Sequence, residues 1–291
     1  MDLTEFADQV GGTGPVTIAG LSTRGGAVRG QRCVQAPLGI EWIQADEMTV
    51  SCGAGTSVDD LATALAAVGQ RTVLPAGGTV GGALAMGRSG TRRLGDGPLR
   101  DALLQARYVG ADGAIVKAGG PTVKNVSGFD VCRLLVGSQG TLGFLGDVIL
   151  RTRPIAECSQ WFAVSTDDPA DLFTSLYRPI SVLWDGSRVW VLLEGHPDDV
   201  QTQAVHRGLS EVDGPPVLPP VRRVIAPSEQ IAIGRRLPAR SFVAELGVGV
   251  MHIAIDAIAG STLDPAVATV HARVKHQFDP AGRLNPGLVI G

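Results

Sequence analysis

Several protein classes are excluded by what this chain has little of. Aromatic residues make up only 4% of its 291 positions, and the only cysteines are Cys33, Cys52, Cys132 and Cys158. These four lie far apart and form no Cys-x-x-Cys, so the clustered thiolates of a zinc site or iron–sulfur cluster are missing and no metal site is expected. No secretory leader is visible at the N-terminus, so the expected state is four reduced, buried thiols in a cytoplasmic protein. Positive charge is not in excess either: 25 Lys and Arg against 28 Asp and Glu leave a formal net charge of −3. No basic surface advertises nucleic acid, and the pairs Arg92-Arg93, Arg222-Arg223 and Arg235-Arg236 read as solvated loop or interface charges. Long apolar runs are absent too. Residues 243–258 come nearest, but they carry Glu245, His252 and Asp256 and are short for a bilayer span, so they read as buried strand. Peripheral attachment to the inner face of a membrane through a partner stays open.

Glycine, by contrast, is abundant, with 39 residues and no triplet period. That implies many places where the backbone turns tightly or comes close to something. Length permits one large domain and a smaller one. Residues 2–10 place Leu3, Phe6 and Val10 at helical spacing. Val16, Thr17 and Ile18 form a brief strand, and residues 48–52 alternate as a half-buried strand. Ser57 or Thr56 can cap the following helix, with Asp59 and Asp60 in its first turn, Leu61, Leu65 and Val68 on one face, and Gly69 closing it. Strands are expected at 103–109, 115–118 and 146–151, with Asp112-Gly113 as a hairpin turn. From about residue 155 glycine thins out and Trp161, Phe162, Phe173, Tyr177, Trp184 and Trp190 gather, which suggests a smaller, mostly antiparallel α+β domain over 155–262. Asp264-Pro265 then starts a helix, with Val267, Val270, Val274 and Phe278 on one side.

The chemistry-bearing pattern is a set of glycine loops. Gly77, Gly78, Gly81 and Gly82 fall within six positions and clear side chains away from backbone N–H groups, leaving a concavity suited to phosphate or pyrophosphate. A structural turn is the plain alternative for one such loop. Two more occur, however: Gly20, Leu21, Ser22, Thr23, Arg24, Gly25 and Gly26 after a strand, and Gly137, Ser138, Gln139, Gly140, Thr141, Leu142 and Gly143 before one. A ligand touching all three must be as long as a dinucleotide. A Rossmann arrangement fails, because Val58 stands where the third glycine after Gly53 and Gly55 is required.

These pieces, in this order, resemble the FAD-binding domain of the vanillyl-alcohol oxidase, or PCMH-type, superfamily. The resemblance runs over the first half of the chain and the last thirty residues. It rests on Gly78-Thr79-Val80-Gly81-Gly82, Ser89-Gly90-Thr91-Arg92-Arg93, Val123-Lys124-Asn125-Val126-Ser127-Gly128-Phe129-Asp130-Val131, the loop from Gly137, and the tail Phe278-Asp279-Pro280 through Leu284-Asn285-Pro286-Gly287. The second and third stretches look most like the E subunit of glycolate oxidase. The resemblance implies an α+β, two-lobed FAD-binding domain over 1–154 (lobes 1–72 and 73–154), the smaller domain as a cap, and a helix and tail over 263–291 returning to the FAD domain. It implies that Gly20, Ser22 and Thr23 line the pyrophosphate from one lobe and Gly78, Thr79, Gly81 and Gly82 from the other. Gly87 and Ser89 would lie near the flavin, and Gly137, Ser138, Gly140 and Thr141 near the adenosine or ribityl side. Lys124 is either a surface charge or a cation near the flavin. A Gly81→Val change is expected to fill the pyrophosphate space.

Two departures shape the functional expectation. Family members with covalent FAD use His or Cys in the loops, whereas Arg24 stands in the first loop here and neither His nor Cys occurs between Gly53 and Lys124; FAD is expected to be non-covalent. The 2-hydroxy-acid dehydrogenases of the family carry a His-x-His pair, which His196, His206, His252, His271 and His276 do not form. His252, alternating away from Met251 and Ile253, is a core or cavity residue or a base; no catalytic residue is otherwise identified. The expected role is a flavoprotein subunit of a glycolate-oxidase-like complex. Its partners would be a larger flavoprotein subunit and an iron–sulfur subunit, and the complex would act on a small 2-hydroxy acid. A self-sufficient 2-hydroxy-acid oxidoreductase and a flavin-free structural subunit are the alternatives.

Overall fold

The computed structural model describes residues 2–23, 25, 27–121, 130–254 and 264–288. The chain divides into two compact units, one of Met1–Gly90, Pro98–Ile155 and Leu263–Gly291, the other of Thr91–Gly97 and Ala156–Thr262. Both are α+β. Thr91–Gly97, which glycine-rich texture grouped with its neighbours, packs in the second unit. Gly95 donates its N–H to the Ile180 carbonyl at 3.1 Å, and Arg92 reaches Glu194 at 2.6 Å.

In the first unit, local signals set the helices. Asp2 caps Leu3–Val10 through the Glu5 N–H, and Phe6 and Val10 are fully buried. Ser57 caps Val58–Ala66 through the N–H groups of Asp59 and Asp60, a contribution of about 1 kcal/mol. Leu61 and Leu65 are fully buried beneath it, each stabilising by roughly 1.5–3 kcal/mol. A five-stranded antiparallel sheet runs in the order Ile40–Gln44, Thr49–Gly53, Phe144–Arg151, Leu103–Val109, Ile115–Gly119. The expected hairpin is its last pair, with Gly113 at φ +82° in the turn. Thr49–Gly53, expected to be half-buried, is buried at all five positions because strands flank it on both sides. It pairs with Phe144–Arg151, so the division near residue 72 separates stretches of sequence but not the sheet.

The C-terminal helix Pro265–Phe278 starts at Asp264, which accepts the Ala266 N–H. Only part of its expected apolar face is used: Val274 and Phe278 pack on the core, whereas Val267 and Val270 are exposed. Beyond it the tail joins the parallel pair Val16–Ala19 and Arg32–Gln35. Val16 donates to the Arg283 carbonyl and Asn285 donates to the Val16 carbonyl, each at 2.9 Å. Arg283, 5% exposed, spends its guanidinium on the carbonyls of Val10, Gly11, Thr13, Gly14 and Ala111.

The second unit is built on a seven-stranded sheet in the order Ser210–Val212, Cys158–Ser165, Arg188–Gly195, Ser181–Trp184, Phe242–Glu245, Val250–Ile253, Val221–Val224. Every pairing is antiparallel. Phe162, Trp184 and Phe242 centre its core, with the Trp184 and Phe242 rings edge to face at 5.2 Å. The apolar run expected as one strand is a hairpin, Phe242–Glu245 and Val250–Ile253, turned by Gly247 and Gly249 at positive φ; residues 255–258 of that run lie outside the described residues. All four cysteines are free, but only Cys52 and Cys132 are buried, and Cys33 is exposed. Burial pushes the Cys52 thiol up to about 12 and the Cys132 thiol up to about 11, so neither is a nucleophile at neutral pH.

Candidate functional site

The glycine loops come together in the first unit. One cavity is lined by Gly20, Ser22, Thr23 and Gly25 of the first loop, Thr79, Gly81 and Gly82 of the second, and Ser138, Gln139 and Gly140 of the third. Ala54 and Gly55, Met86, Leu135, Phe144, Asn285 and Leu288 complete much of the wall. Loops some sixty residues apart in sequence meet because each leaves an element of the same core: the strand Val16–Ala19, the helix Val80–Met86 and the strand Phe144–Arg151.

The second loop is held by the protein's own backbone. Thr79 Oγ1 accepts the Gly82 N–H at 3.0 Å and so caps the helix. The Gly81 N–H donates to the Ala54 carbonyl at 2.6 Å. A Cβ on Gly81 would stand 2.9 Å from that carbonyl oxygen. The glycine is therefore required by strand–helix contact, and Gly81→Val would collide with protein before it met any ligand. Gly87 ends the helix at φ +64°, and a Cβ there would come within 2.8 Å of Gly137 Cα.

The third loop is fixed from the C-terminal tail, which sequence reasoning treated as a motif and not as part of the site. Asn285 Oδ1 accepts from Thr17 Oγ1 at 2.8 Å and from the Ile18 N–H at 3.3 Å, while its Nδ2 donates to the Gln139 carbonyl at 2.7 Å. One buried side chain thereby ties the first loop's strand to the third loop. Lys275 Nζ donates to the carbonyls of Thr141 at 2.7 Å and Leu284 at 3.2 Å, and to Asp279 Oδ2 at 2.5 Å. Asp279 also accepts the N–H groups of Arg283 and Leu284. Burial alone would raise the Asp279 pKa, but Lys275 and these two amides outweigh it and hold the carboxyl below its ordinary value. Ser22, Gln139 and Asn285, all on the cavity wall, adopt positive φ of 56°, 54° and 46°. Strained backbone of this kind clusters at ligand sites. The Leu-Asn-Pro-Gly stretch was the available signal for Asn285.

Other expected residues support the wall without forming it. Gly78, buried, accepts the Val58 N–H at its carbonyl, and Gly137 donates its N–H to the Leu84 carbonyl. Ser89 Oγ accepts the Leu99 N–H at 3.1 Å, and Thr141 Oγ1 donates to the Ser138 carbonyl. Their hydrogen-bonding groups are turned into the fold, and none of the four, nor Gly87, is on the cavity wall. Lys124 and Arg24 lie outside the described residues. His252 belongs to the second unit, where its Nε2 lies 2.8 Å from Glu245 Oε1. Gln230 Nε2 staples that hairpin by donating to the carbonyls of Glu245 and Val250. Met251 and Ile253 are buried in the core while His252 lies on the other face, as alternation predicts.

The wall suits a long, phosphate-bearing, partly aromatic ligand. Leu21, Ser22 and Thr23 bring backbone N–H groups and two hydroxyls to the wall, donors of the kind that suit an anion. Met86, Leu135, Phe144 and Leu288 supply apolar surface for a ring system. No charged side chain lies among the described wall residues, so backbone dipoles and hydroxyls would hold the anion.

The cavity suits a long dinucleotide, and FAD is the cofactor that the matched domain supports. Comparisons with known proteins agree. The family described as "FAD binding domain" matches residues 9–119. The glycolate oxidase subunit GlcE of Escherichia coli is 31% identical over 217 residues, covering 69% of this chain and 61% of that protein. A D-lactate dehydrogenase of Archaeoglobus fulgidus is 37% identical over 115 residues, covering 38% of this chain and 26% of that enzyme. The chain thus spans 61% of the first relative's length and about a quarter of the second's. Among solved structures, an alkyldihydroxyacetonephosphate synthase shares the fold with a TM-score of 0.68 at 13% identity, over 99% of this chain and 75% of that one. The matched FAD binding domain and the relatives support FAD as the cofactor of the first unit, and the solved structure shows a shared fold.

Proposed function

We propose that this chain is the FAD-binding subunit of a glycolate-oxidase-like 2-hydroxy-acid dehydrogenase complex, partnered by a larger flavoprotein subunit and an iron–sulfur subunit. The observation that carries this is the loop-built cavity of the first unit, within a chain that matches the glycolate oxidase subunit over 217 residues. Bound FAD would supply two-electron acceptance from a substrate carbon and one-electron delivery onward. The chain's own residues would do the rest. Leu21, Ser22 and Thr23 would bind the pyrophosphate, Thr79 would keep the second loop open through its bond to the Gly82 N–H, and Asn285 would orient the first and third loops together. No His or Cys is on the described wall, and Arg24 and Gly26 are neither, which supports non-covalent attachment. Among the described residues, no helix is long and apolar enough to cross a membrane. Purification from the native host tests the assignment. The expected result is a yellow complex whose flavin is released by acid precipitation and whose absorption bleaches with glycolate or D-lactate under anaerobic conditions. A colourless protein, or one isolated alone that oxidises glycolate unaided, contradicts it.

One observation favours a second reading, a self-sufficient 2-hydroxy-acid oxidoreductase. Glu245, 4% exposed, has His252 as its hydrogen-bond partner, an arrangement that fixes the imidazole and its tautomer. Replacing His252 by Ala separates the two: flavin reduction by substrate collapses if this chain catalyses alone and hardly changes if it serves within a complex.

A further inference from the structure

The second unit contains a cavity of about 620 Å³ that shares no wall residue with the cofactor cavity. Its construction starts at the turn between the strands Ser181–Trp184 and Arg188–Gly195. Asp185, 6% exposed, folds its carboxylate back on the turn: Oδ1 accepts the N–H groups of Ser187 at 2.9 Å and Arg188 at 2.8 Å, and the Ser187 hydroxyl at 3.0 Å. The Asp185 carbonyl accepts the Arg240 N–H at 2.7 Å, and Arg240 stands at φ +66°, a left-handed conformation unfavourable for a side chain of this size. One buried turn thus roots two arginines on the same cavity wall.

Neither guanidinium is spent. Arg188 lies over the Trp190 ring, 5.3 Å from its centroid, and among the described residues it makes no side-chain hydrogen bond or ion pair. The Arg240 side chain has no such partner either. A ring face holds a cation without using its N–H donors. Ser165 and Ser210 add hydroxyls to the wall, and Ala163, Val243 and Trp190 add apolar surface. Two cationic forks without a carboxylate of their own attract an oxyanion. The apolar residues among the lining favour an organic acid over an inorganic ion.

We propose that this cavity binds a small organic carboxylate, held by Arg188 and Arg240 with its carbon end against Trp190. The proposal stands apart from the cofactor assignment. The test uses the full chain with its bound FAD, titrated at constant ionic strength with propionate and, separately, with inorganic phosphate. Propionate has no 2-hydroxyl, so it cannot be oxidised in place of being bound. Binding is followed by calorimetry and by tryptophan emission, with Trp190→Phe identifying the responding ring. The expected result is saturable propionate binding that weakens roughly tenfold or more in Arg188→Gln, partly survives in Arg188→Lys, and leaves FAD content unchanged in both variants. The proposal is overturned by equal propionate affinity in wild type and Arg188→Gln. It is equally overturned by phosphate binding as tightly as propionate, or by affinity that falls only when FAD is lost.

Discussion

The two units use polar groups in opposite ways. The first presents a cavity wall of glycines, hydroxyls and small apolar residues, without a charged side chain among the described ones, and its buried carboxylate, Asp279, is consumed in holding the C-terminal tail. The second places charged side chains on its sheet and turns: Glu245 against His252, Glu194 against Arg92, and Arg188 and Arg240 on a cavity of their own. Glycine-rich backbone can approach a large ligand closely but offers little side-chain chemistry; a twisted antiparallel sheet with alternating faces offers the reverse. The first unit is organised to hold something, the second to present side chains to something.

The largest expected effect comes from Gly81→Val. Because a Cβ already meets the Ala54 carbonyl at 2.9 Å, the variant should lose about 1–3 kcal/mol of stability or more along with its FAD. Urea unfolding measured beside flavin content decides; a stable, FAD-free variant would mean that only ligand space was lost. Asn285→Ala leaves the Thr17 hydroxyl, the Ile18 N–H and the Gln139 carbonyl without their partner. The expected loss of FAD affinity is roughly 30-fold, about 2 kcal/mol, with far-ultraviolet circular dichroism retained. Unchanged affinity in a fluorescence titration would remove the tail from the site.

Asp279→Asn should cost about 2 kcal/mol by breaking the buried contact with Lys275. The pH dependence has a defined sign. The native carboxyl is held below its ordinary value of 3.8, so its contribution is complete above that value and is lost as pH falls through the lower native one. Acid unfolding followed below about pH 4 should therefore be less steep in Asp279→Asn than in wild type. The smallest effect is expected in the second unit, where Glu245→Gln keeps a hydrogen-bonding group near His252 and should cost about 1 kcal/mol without altering FAD content. Loss of FAD in this variant would break the contrast drawn between the units.

Much of the first unit was legible because its signals are local. Ser57 before Asp59 and Asp60, Asp2 before the Leu3, Phe6, Val10 face, and Asp112-Gly113 between two apolar runs each report a backbone event within a few residues. The apolar stretch from 243 misled because two short strands and a glycine turn have the same hydropathy as one longer strand; Gly247 and Gly249 were the overlooked punctuation. Thr141 and Ser89 looked like ligand contacts since a hydroxyl in a glycine loop carries no mark of where it points. In the fold they bond to the Ser138 carbonyl and the Leu99 N–H.

The sequence by itself carries three glycine loops without a Rossmann pattern, spaced for a long phosphate-bearing ligand, and has neither His nor Cys between Gly53 and Lys124. These are statements about residue types and spacing, which local chemistry controls. Only the tertiary structure decided that Asn285 joins the cavity wall and Lys275 braces the third loop from the far end of the chain, and that Thr91–Gly97 belongs with the aromatic unit. Nor could spacing alone reveal that two arginines lie on one cavity of the second unit. Such facts depend on contacts between residues far apart in sequence, as from Asn285 to Gln139 and Thr17. The physical reason is that burying apolar surface sets which segments meet, and hydrogen-bond satisfaction then fixes which polar atoms are left to face the ligand.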